Sequence, residues 1–336
     1  MNISQPWRLA QSLKNIRLSR KFIGQTVLVT GGTGSFGRQI TKALLRTSVR
    51  EIRVLSRDED LQHQMASTYL DSRLKFLVGD VRDLERTKEA ARNADIVVHA
   101  AALKQVPDCE VHPLEAVKTN IVGANNVKMA AQEEGVGTLV FISTDKAVKP
   151  VNAMGMSKAL QEKIMLSPES SGNTRICGVR YGNVLGSRGS VVPRFIELKK
   201  RLEPIIVTHP DMTRFMLTLD DATALVLKAL VDGRSREMIV MKKSACKILD
   251  LAEVIAEGKV PVKIGSVRAG EKIHETLVQE EEMRRSIEDG EYYHILPHGA
   301  EGVPDLTEDR IEYTSENTSQ MTRSEVGSLL RTEGWI

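Results

Sequence analysis

Cysteines, long apolar runs and an excess of either charge are scarce in this sequence, and each scarcity excludes a class of protein. The 336 residues include only 3 cysteines, an odd number spread widely along the chain: Cys109, Cys177 and Cys246. This usage fits a reducing cytoplasm and predicts neither a disulfide framework nor a metal site. We expect Cys109 to be a small buried residue, although its neighbours also allow it to line a pocket.

The charge balance and the absence of apolar runs exclude two further classes. The formal net charge is +3, from 47 basic and 44 acidic residues, so nothing argues for a nucleic-acid surface. No run approaches the about 18 apolar residues of a membrane span. Hydrophobic residues at 41% and charged residues at 27% are typical of a soluble globular protein, and we expect a cytoplasmic one.

The opening segment, residues 1–24, is basic and mildly amphipathic. It lacks the continuous apolar stretch of a secretory signal. We interpret it as a helical extension that packs on the body of the protein or on another subunit. A membrane-surface role is the alternative.

The first half of the sequence alternates β-rich runs with segments of helical periodicity. The candidate strands are 26–30, 51–56, 74–79, 95–100, 138–143 and 175–180, and the helical segments include 39–47 and 114–134. Nearly continuous Val, Ile and Leu content is typical of strands covered on both faces. The alternation predicts an α/β fold, a doubly wound Rossmann-type parallel sheet with ligands beyond the carboxyl ends of its strands.

The pattern changes after about Gly182, where glycine and proline become frequent and the elements become shorter. We therefore assign residues 25–182 to a Rossmann domain, to which later segments return. Residues 183–298 are assigned mainly to a smaller lobe over the edge of the sheet. Residues 299–336 are expected to form a C-terminal arm and helix, because 299–318 are polar and poor in large apolar residues.

A glycine-rich turn separates the first predicted strand from the first helix. It reads Thr30-Gly31-Gly32-Thr33-Gly34-Ser35-Phe36-Gly37. Gly31 permits the tight turn, Gly34 lets a pyrophosphate approach the backbone, and Gly37 lets the helix pack close to the strand. Free N–H groups at the helix N-terminus then attract the anion. A strand–glycine turn–helix context of this kind predicts a dinucleotide site.

The residues after the next three strands refine this prediction. An acid at the end of the second strand holds the ribose of NAD, whereas arginine accommodates the 2′-phosphate of NADP. Ser56 and Arg57 therefore predict NADP, with Asp58 as a contrary neighbour. Asp80 and Val81 are placed beside the adenine. Small side chains after the fourth strand let the dinucleotide lie against the sheet, namely Ala100, Ala101 and Ala102.

The fifth predicted strand ends in Thr144, Asp145 and Lys146, and the next predicted helix carries Met154 and Lys158. A spacing of four places Met154 and Lys158 on one helix face. Asp145 and Lys146 are adjacent titratable groups that can serve as an acid and a base if their surroundings separate their pKa values.

These motifs resemble the extended short-chain dehydrogenases/reductases, which carry Tyr-x-x-x-Lys where this chain has Met154 and Lys158. Thr144-Asp145-Lys146 is similar to the Thr-Asp-Lys motif of the inverting UDP-N-acetylglucosamine 4,6-dehydratases/5-epimerases of polysaccharide biosynthesis. The string Ala-Met-Gly-Met-Ser-Lys at 153–158 is similar to the capsule-type subgroup, which has methionine in place of tyrosine. The resemblance runs from about Gly24 to Leu277.

The resemblance implies NADP-dependent 4,6-dehydration with inversion at C5, with NADP tightly bound and recycled within each turnover. It implies that Asp145 is the acid at C6 and Lys146 the base at C5. It also implies that Thr144 bonds O4 and that Lys158 binds the nicotinamide ribose. Because a thioether accepts no proton, Met154 leaves O4 without an obvious base, and Lys146 or a water held by Thr144 and Lys158 is the candidate.

The resemblance further implies a UDP-sugar site in the smaller lobe, where arginine forks suit phosphate oxygens. The residues expected to bind the substrate are Lys104, Asn183, Arg188, Val192, Arg214 and Glu271. Lys104 is also a candidate for contacting the cofactor. The resemblance also implies a homo-oligomer built from dimers, and we expect a hexamer.

Two other functions remain open at this point. A UDP-hexose 4-epimerase would share the fold and the UDP site, but it normally keeps the tyrosine and has no use for an Asp–Lys pair. A non-catalytic NADP-binding regulatory protein would explain Met154, yet it would have little reason to keep Thr144-Asp145-Lys146.

Overall fold

The computed structural model describes residues 20–168, 173–187, 189–300 and 310–336. Within these residues the strands are β1 (Thr26–Thr30), β2 (Glu51–Ser56), β3 (Leu74–Val78), β4 (Ile96–His99), β5 (Thr138–Thr144), β6 (Arg175–Tyr181), β7 (Asn183–Val184), β8 (Ile205–Val207), β9 (Thr213–Leu217), β10 (Met238–Met241), β11 (Ala245–Lys247), β12 (Val262–Ile264), β13 (Thr276–Val278), β14 (Ser286–Asp289), β15 (Tyr292–Ile295) and β16 (Tyr313–Thr314).

The helices of the same residues are α1 (Ser35–Leu44), α2 (Glu59–Tyr69), α3 (Leu84–Ala91), α4 (Val106–Val111), α5 (Pro113–Ala116), α6 (Gly123–Glu133), α7 (Ala153–Met165), α8 (Val191–Lys200), α9 (Leu219–Asp232), α10 (Ile248–Ala256), α11 (Glu280–Met283) and α12 (Arg323–Thr332). A π-helical turn (Val117–Val122) joins α5 to α6, and a 3₁₀ turn (Asp145–Ala147) follows β5.

The main sheet has the strand order β14-β15-β10-β6-β5-β4-β1-β2-β3. The strands from β10 to β3 run parallel, and the β14–β15 hairpin is antiparallel at the β10 edge. The chain moves outward from β1 in one direction through β2 and β3, and then resumes on the other side of β1 at β4. A crevice at such a switch point is where open α/β sheets bind ligands.

Both faces of the sheet are covered by helices, which explains the apolar strands. One face packs against α1, α2 and α9, with Ile40, Met65 and Leu227 in its core. The other face packs against α3, α6 and α7, with Ala90, Val127 and Met165 in its core. The predicted doubly wound α/β class is confirmed, and a strand is present in each of the six predicted positions.

The predicted helix at 114–134 is interrupted. A π turn lies between α5 and α6 and inserts an extra residue into the helical repeat. Asn120, in this turn, is fully buried. Its side chain accepts from Leu103 N at 2.8 Å and donates to Leu103 O and Ser157 Oγ, both at 2.9 Å. The irregular turn thus ties the loop after β4 to α7.

A smaller lobe lies beyond the carboxyl ends of the strands. It contains the β11–β9–β7 sheet, the β8–β12 pair and the helices α8, α10 and α12. Its core includes Phe195, Leu251 and Leu330. Two segments from within the predicted lobe range, α9–β10 and β14–β15, return to the main sheet.

The described part of the predicted C-terminal arm packs against its own chain. β16 pairs with β13, and α12 fills the core of the lobe. The Ser315 hydroxyl accepts a hydrogen bond from Glu275 N at 2.9 Å, and Ser315 N donates to Glu275 O at 2.8 Å. Most of the predicted N-terminal extension, residues 1–19, lies outside the described residues.

Candidate active site

The glycine-rich turn forms an anion cradle between β1 and α1. Gly31 has φ +66°, and a Cβ on it would lie 2.8 Å from Ala101 Cα. A Cβ on Gly37 would lie 2.5 Å from Gly31 O, so the helix can pack this closely only with glycine there. Gly34 is exposed and caps α1 without a side-chain hydrogen bond. Backbone N–H groups at this end of α1 therefore face the cleft, where a phosphate would be bound.

The other cradle residues have structural partners. Thr30 Oγ1 lies 2.8 Å from His99 Nδ1 and accepts from Ala101 N at 3.3 Å. Thr33 is buried, while Ser35 and Phe36 are partly exposed in the first turn of α1. Burial lowers the pKa of His99 to about 3, with the charge of Lys158 adding to the effect, so His99 is a neutral core histidine.

The end of β2 is followed by an exposed arginine and an exposed aspartate, Arg57 and Asp58. The Arg57 side chain is 55% exposed, with its guanidinium 3.8 Å from Asp80. Asp58, which is exposed, caps α2 by accepting from Leu61 N at 2.9 Å through one of its two carboxylate oxygens. Ser56 is buried, and its hydroxyl accepts from Gln62 Nε2 at 2.9 Å.

Asp80 and Val81, predicted beside the adenine, differ in exposure. Asp80 accepts from Arg82 Nε at 2.8 Å and from Arg82 N at 3.0 Å. Burial favours the neutral form of Asp80, but these bonds lower its pKa overall. Val81 packs against Gly123 in the core. The next loop keeps a partly exposed surface along Ala100, Ala101 and Ala102, followed by the exposed Lys104.

Thr144, Asp145 and Lys146 form one hydrogen-bonded unit at the end of β5. Thr144 Oγ1 donates to Asp145 Oδ1 at 2.9 Å, and Lys146 Nζ donates to the same oxygen at 3.0 Å. The Asp145 side chain is 0% exposed, and its Oδ2 has no hydrogen-bond partner among the described residues. Burial raises the pKa of Asp145, and the Glu275 carboxylate adds to this. Asp145 is thus a carboxyl group disposed to hold a proton.

Lys146 is surrounded by acceptors and is 23% exposed toward the cleft. Besides Asp145, its Nζ contacts Asn183 Oδ1 and Glu275 Oε1, each at 3.3 Å. Burial alone would lower the pKa of Lys146, but the Asp145 and Glu275 charges raise it overall. The lysine therefore rests as an ammonium ion and must lose a proton before it can act as a base.

Met154 and Lys158 share the expected face of α7. Met154 is buried with Cys109 and Ala116, so Cys109 is a core residue and Met154 offers no acid–base group. Lys158 Nζ donates to Ile142 O at 2.6 Å and to Gln161 Oε1. Burial lowers the pKa of Lys158 to about 8, although the Glu162 charge opposes the shift.

Three predicted substrate residues lie differently from the sequence prediction. Arg214 is buried, and its guanidinium donates to the carbonyls of Thr213, Ile273 and Lys272. Val192 is buried in the core of the lobe. Glu271 caps a turn by accepting from Arg268 N at 3.1 Å. These side chains thus have partners within the protein, and their role in binding a substrate stays a prediction.

The other predicted substrate residues have mixed outcomes. Asn183 lies beside Lys146 at 3.3 Å, in a position to contact a bound molecule. Arg188 lies outside the described residues. Sequence reasoning missed Glu275 and Lys272 as members of the site. The signal for Glu275 was weak: an acid directly before the short apolar run of β13.

No group of three or more His, Cys, Asp or Glu side chains in the described residues has the geometry of a metal site. The helices in the same part of the chain are all too short or too polar to cross a bilayer.

Three features define the class of this protein, which has the extended short-chain dehydrogenase/reductase fold. They are the glycine-rich turn between β1 and α1, the Thr-Asp-Lys motif and the Met-x-x-x-Lys motif. A dTDP-glucose 4,6-dehydratase, DesIV of Streptomyces venezuelae, solved with NAD and TYD, has this fold with a TM-score of 0.68 at 22% identity, over 74% of this chain and 86% of that one. The Pen protein of Bacillus thuringiensis has a TM-score of 0.88 at 33% identity, over 94% of this chain and 99% of that one.

Residues 27–297 match the polysaccharide biosynthesis protein family, and the chain belongs to that family. A curated relative, the UDP-glucose 4-epimerase of Rickettsia akari, is 42% identical over 94% of this chain and 98% of its own length.

Proposed function

We propose that the protein catalyses NADP-dependent 4,6-dehydration of UDP-N-acetylglucosamine with inversion at C5, as in the capsule-type subgroup. One observation carries the proposal, the contact of Thr144, Asp145 and Lys146 at the end of β5. Transfer of hydride to and from C4 requires a base for O4 alone. Loss of the C6 hydroxyl also requires an acid at C6 and a base at C5, and an Asp–Lys pair supplies both.

The cradle fits a nicotinamide dinucleotide, and the end of β2 favours NADP. The exposed Arg57 guanidinium suits a 2′-phosphate, and one oxygen of Asp58 is used in capping α2. When bound, the nicotinamide would take hydride from C4 of the sugar and return it to C6. Lys158, whose Nζ lies at the end of β5, would hold the ribose next to this ring.

Met154 cannot accept the proton that leaves the sugar O4 hydroxyl, but Thr144 can pass it on. Its hydroxyl donates to Asp145 Oδ1, so its oxygen can accept the proton of the sugar O4 hydroxyl. The O4 proton moves to Thr144 as the Thr144 proton moves to Asp145. The raised pKa of Asp145 makes it a suitable acceptor. This relay replaces the water or Lys146 base expected from the sequence.

The same proton then balances the loss of water. O4 and O6 lie on carbons separated only by C5, so one hydroxyl can serve both. Asp145, protonated by the first step and itself fully buried, returns the proton through Thr144 to the C6 hydroxyl, which leaves as water. Neutral Lys146 takes the C5 proton and releases it to solvent, and a proton from solvent added to the opposite face of C5 inverts that centre. Asp145 is a carboxylate again at the end of the cycle.

A UDP-hexose 4-epimerase is the second candidate, and the names of the curated relatives favour it. An epimerase would use the Thr144–Asp145 relay to remove and return the O4 proton. It would make no use of Lys146 as a C5 base.

The test is incubation of the protein with UDP-N-acetylglucosamine in deuterated water, followed by proton NMR and mass spectrometry. We expect a 4-keto-6-deoxy sugar with deuterium at C5 and the inverted configuration. Lys146→Ala should abolish both dehydration and C5 exchange. A C4 epimer without loss of water would overturn the proposal in favour of the epimerase, and NADP binding without turnover would favour a regulatory protein.

A further inference from the structure

Glu275 lies against the candidate base without belonging to any motif that identified the site. Its side chain is 3% exposed, and Oε1 is 3.3 Å from Lys146 Nζ and 3.8 Å from Arg214 Nε. Its Oε2 is 3.6 Å from Lys272 Nζ. A carboxylate buried this deeply persists only where cations compensate for its lost hydration. Glu275 is therefore an ionised group inside the site.

The backbone fixes Glu275 in place. It directly precedes β13, and its N–H and C=O are both bonded to Ser315. Lys272 is tethered from the other side, because its Nζ donates to Val148 O at 2.6 Å. The Glu275 carboxylate therefore acts as a fixed charge against which the Lys146 ammonium is held.

The charged groups around Lys146 form one cluster. It contains the two acids Asp145 and Glu275 and the three cations Lys146, Arg214 and Lys272. Lys146, Arg214 and Lys272 lower the pKa of Glu275 against the effect of burial, so Glu275 keeps its charge while Asp145 is the acid that takes a proton. The two carboxylates have different roles because cations surround only Glu275 on several sides.

We propose that Glu275 is a positioning residue that anchors the Lys146 ammonium beside Asp145 and Asn183 and sets the pH above which Lys146 can act as the C5 base. This inference rests on the proposed function, since it takes Lys146 to be that base. Glu275 itself contacts no reacting atom. Its effect passes through the 3.3 Å contact between Oε1 and Lys146 Nζ.

The direction of the effect follows from the charges. Removing the Glu275 charge withdraws stabilisation from the Lys146 ammonium, which lowers the pKa of Lys146. It also withdraws repulsion from the Asp145 carboxylate, which lowers the pKa of Asp145. Both groups must be deprotonated when the cycle begins, so the acid limb of the pH–activity profile should move to lower pH. An opposite charge at this distance typically shifts a pKa by about 1 to 3 units.

The experiment compares Glu275→Gln, Glu275→Asp and Lys272→Met with the wild type. The Lys146 Nζ resonance is titrated in substrate-free protein that carries ζ-¹⁵N lysine, and Lys146→Arg assigns the signal. The pH profile of UDP-N-acetylglucosamine turnover is recorded in parallel. Glu316→Gln is the matched control, because it removes a charge from a side chain that is 68% exposed and faces His274.

We expect Glu275→Gln to lower the Lys146 midpoint and the acid limb together, by about one unit or more. Glu275→Asp should retain most of the wild-type midpoint. Lys272→Met removes a neighbouring cation and should raise the midpoint, which keeps the inference testable if the glutamine variant fails to fold. Unchanged midpoints in both Glu275→Gln and Lys272→Met would overturn the inference. If the wild type does not dehydrate the sugar, the proposed function fails, whereas the substrate-free titration still shows whether Glu275 controls Lys146.

Discussion

Thr144→Val tests the proton relay most directly, because valine keeps the shape of threonine and removes only the hydroxyl. The variant loses the 2.9 Å bond to Asp145 Oδ1 and, with it, the link between the substrate and a buried carboxyl group. Loss of a positioned acid–base group slows a reaction by about 10²- to 10⁴-fold. We expect kcat to fall by about this factor, while UDP-sugar affinity changes little because Thr144 contributes one contact.

The assay is rapid mixing of NADP-loaded protein with the sugar, following the absorbance of reduced nicotinamide. A substrate deuterated at C4 should show a larger isotope effect in Thr144→Val than in the wild type, since the first step becomes rate-limiting. Thr144→Ser restores the hydroxyl and should recover most of the rate. Thr138→Val, at the other end of β5, controls for the substitution itself. A Thr144→Val rate within about threefold of the wild type would refute the relay, because a lost acid–base group costs far more.

Three further predictions concern the cofactor, the core and the pH dependence of stability. Arg57→Glu should weaken NADP relative to NAD by about 10- to 100-fold, measured by calorimetric titration, because charge-assisted bonds to a phosphate contribute about 1.5–3 kcal/mol; an unchanged ratio would show that Arg57 does not read the 2′ position. Glu162→Leu removes one partner of Arg180, which Glu162 binds at 2.6 Å and Glu282 at 2.8 Å. It should lower the free energy of unfolding in urea by about 3–5 kcal/mol, and a loss below about 1 kcal/mol would contradict a cooperative buried network. Lys158 has a folded pKa of about 8 against 10.5 unfolded, so between these values the unfolded chain binds the extra proton and this group makes the protein more stable as pH rises. Lys158→Met should remove that rise in urea titrations across the window, and an unchanged slope would mean that another group is responsible.

The strands could be predicted because a parallel sheet covered on both faces needs nearly continuous apolar runs. Their ends were less certain: β3 stops at Val78 and β4 spans Ile96–His99, each shorter than expected from the sequence. The π turn at Val117–Val122 was not predicted. Its extra residue is stabilised by the contacts of Asn120 with Leu103 and Ser157, which are distant in sequence and invisible to a periodicity argument.

The candidate site was predictable wherever its residues lie close together in the chain. The cradle between β1 and α1, the Thr144–Lys146 unit and the Met154–Lys158 pair are of this kind. The surrounding charges are not, since Glu275 contacts Lys146 from more than a hundred residues away and Lys272 contacts Glu275 in turn. A motif also fails to specify the partners of a side chain, and the three carbonyls that Arg214 contacts could not be predicted from the sequence.

The two hydrogen bonds between Glu275 and Ser315, one of them to the Ser315 hydroxyl, have a consequence for the order in which the protein matures during synthesis. The nucleotide cradle and the Thr144–Lys146 unit are encoded early and can fold while the ribosome is still translating the lobe. The anchor of Lys146 gains its final backbone partner only when Ser315 has left the exit tunnel. A chain that stops before Ser315 would lack both hydrogen bonds to Glu275, and we expect it to bind dinucleotide with Lys146 unanchored.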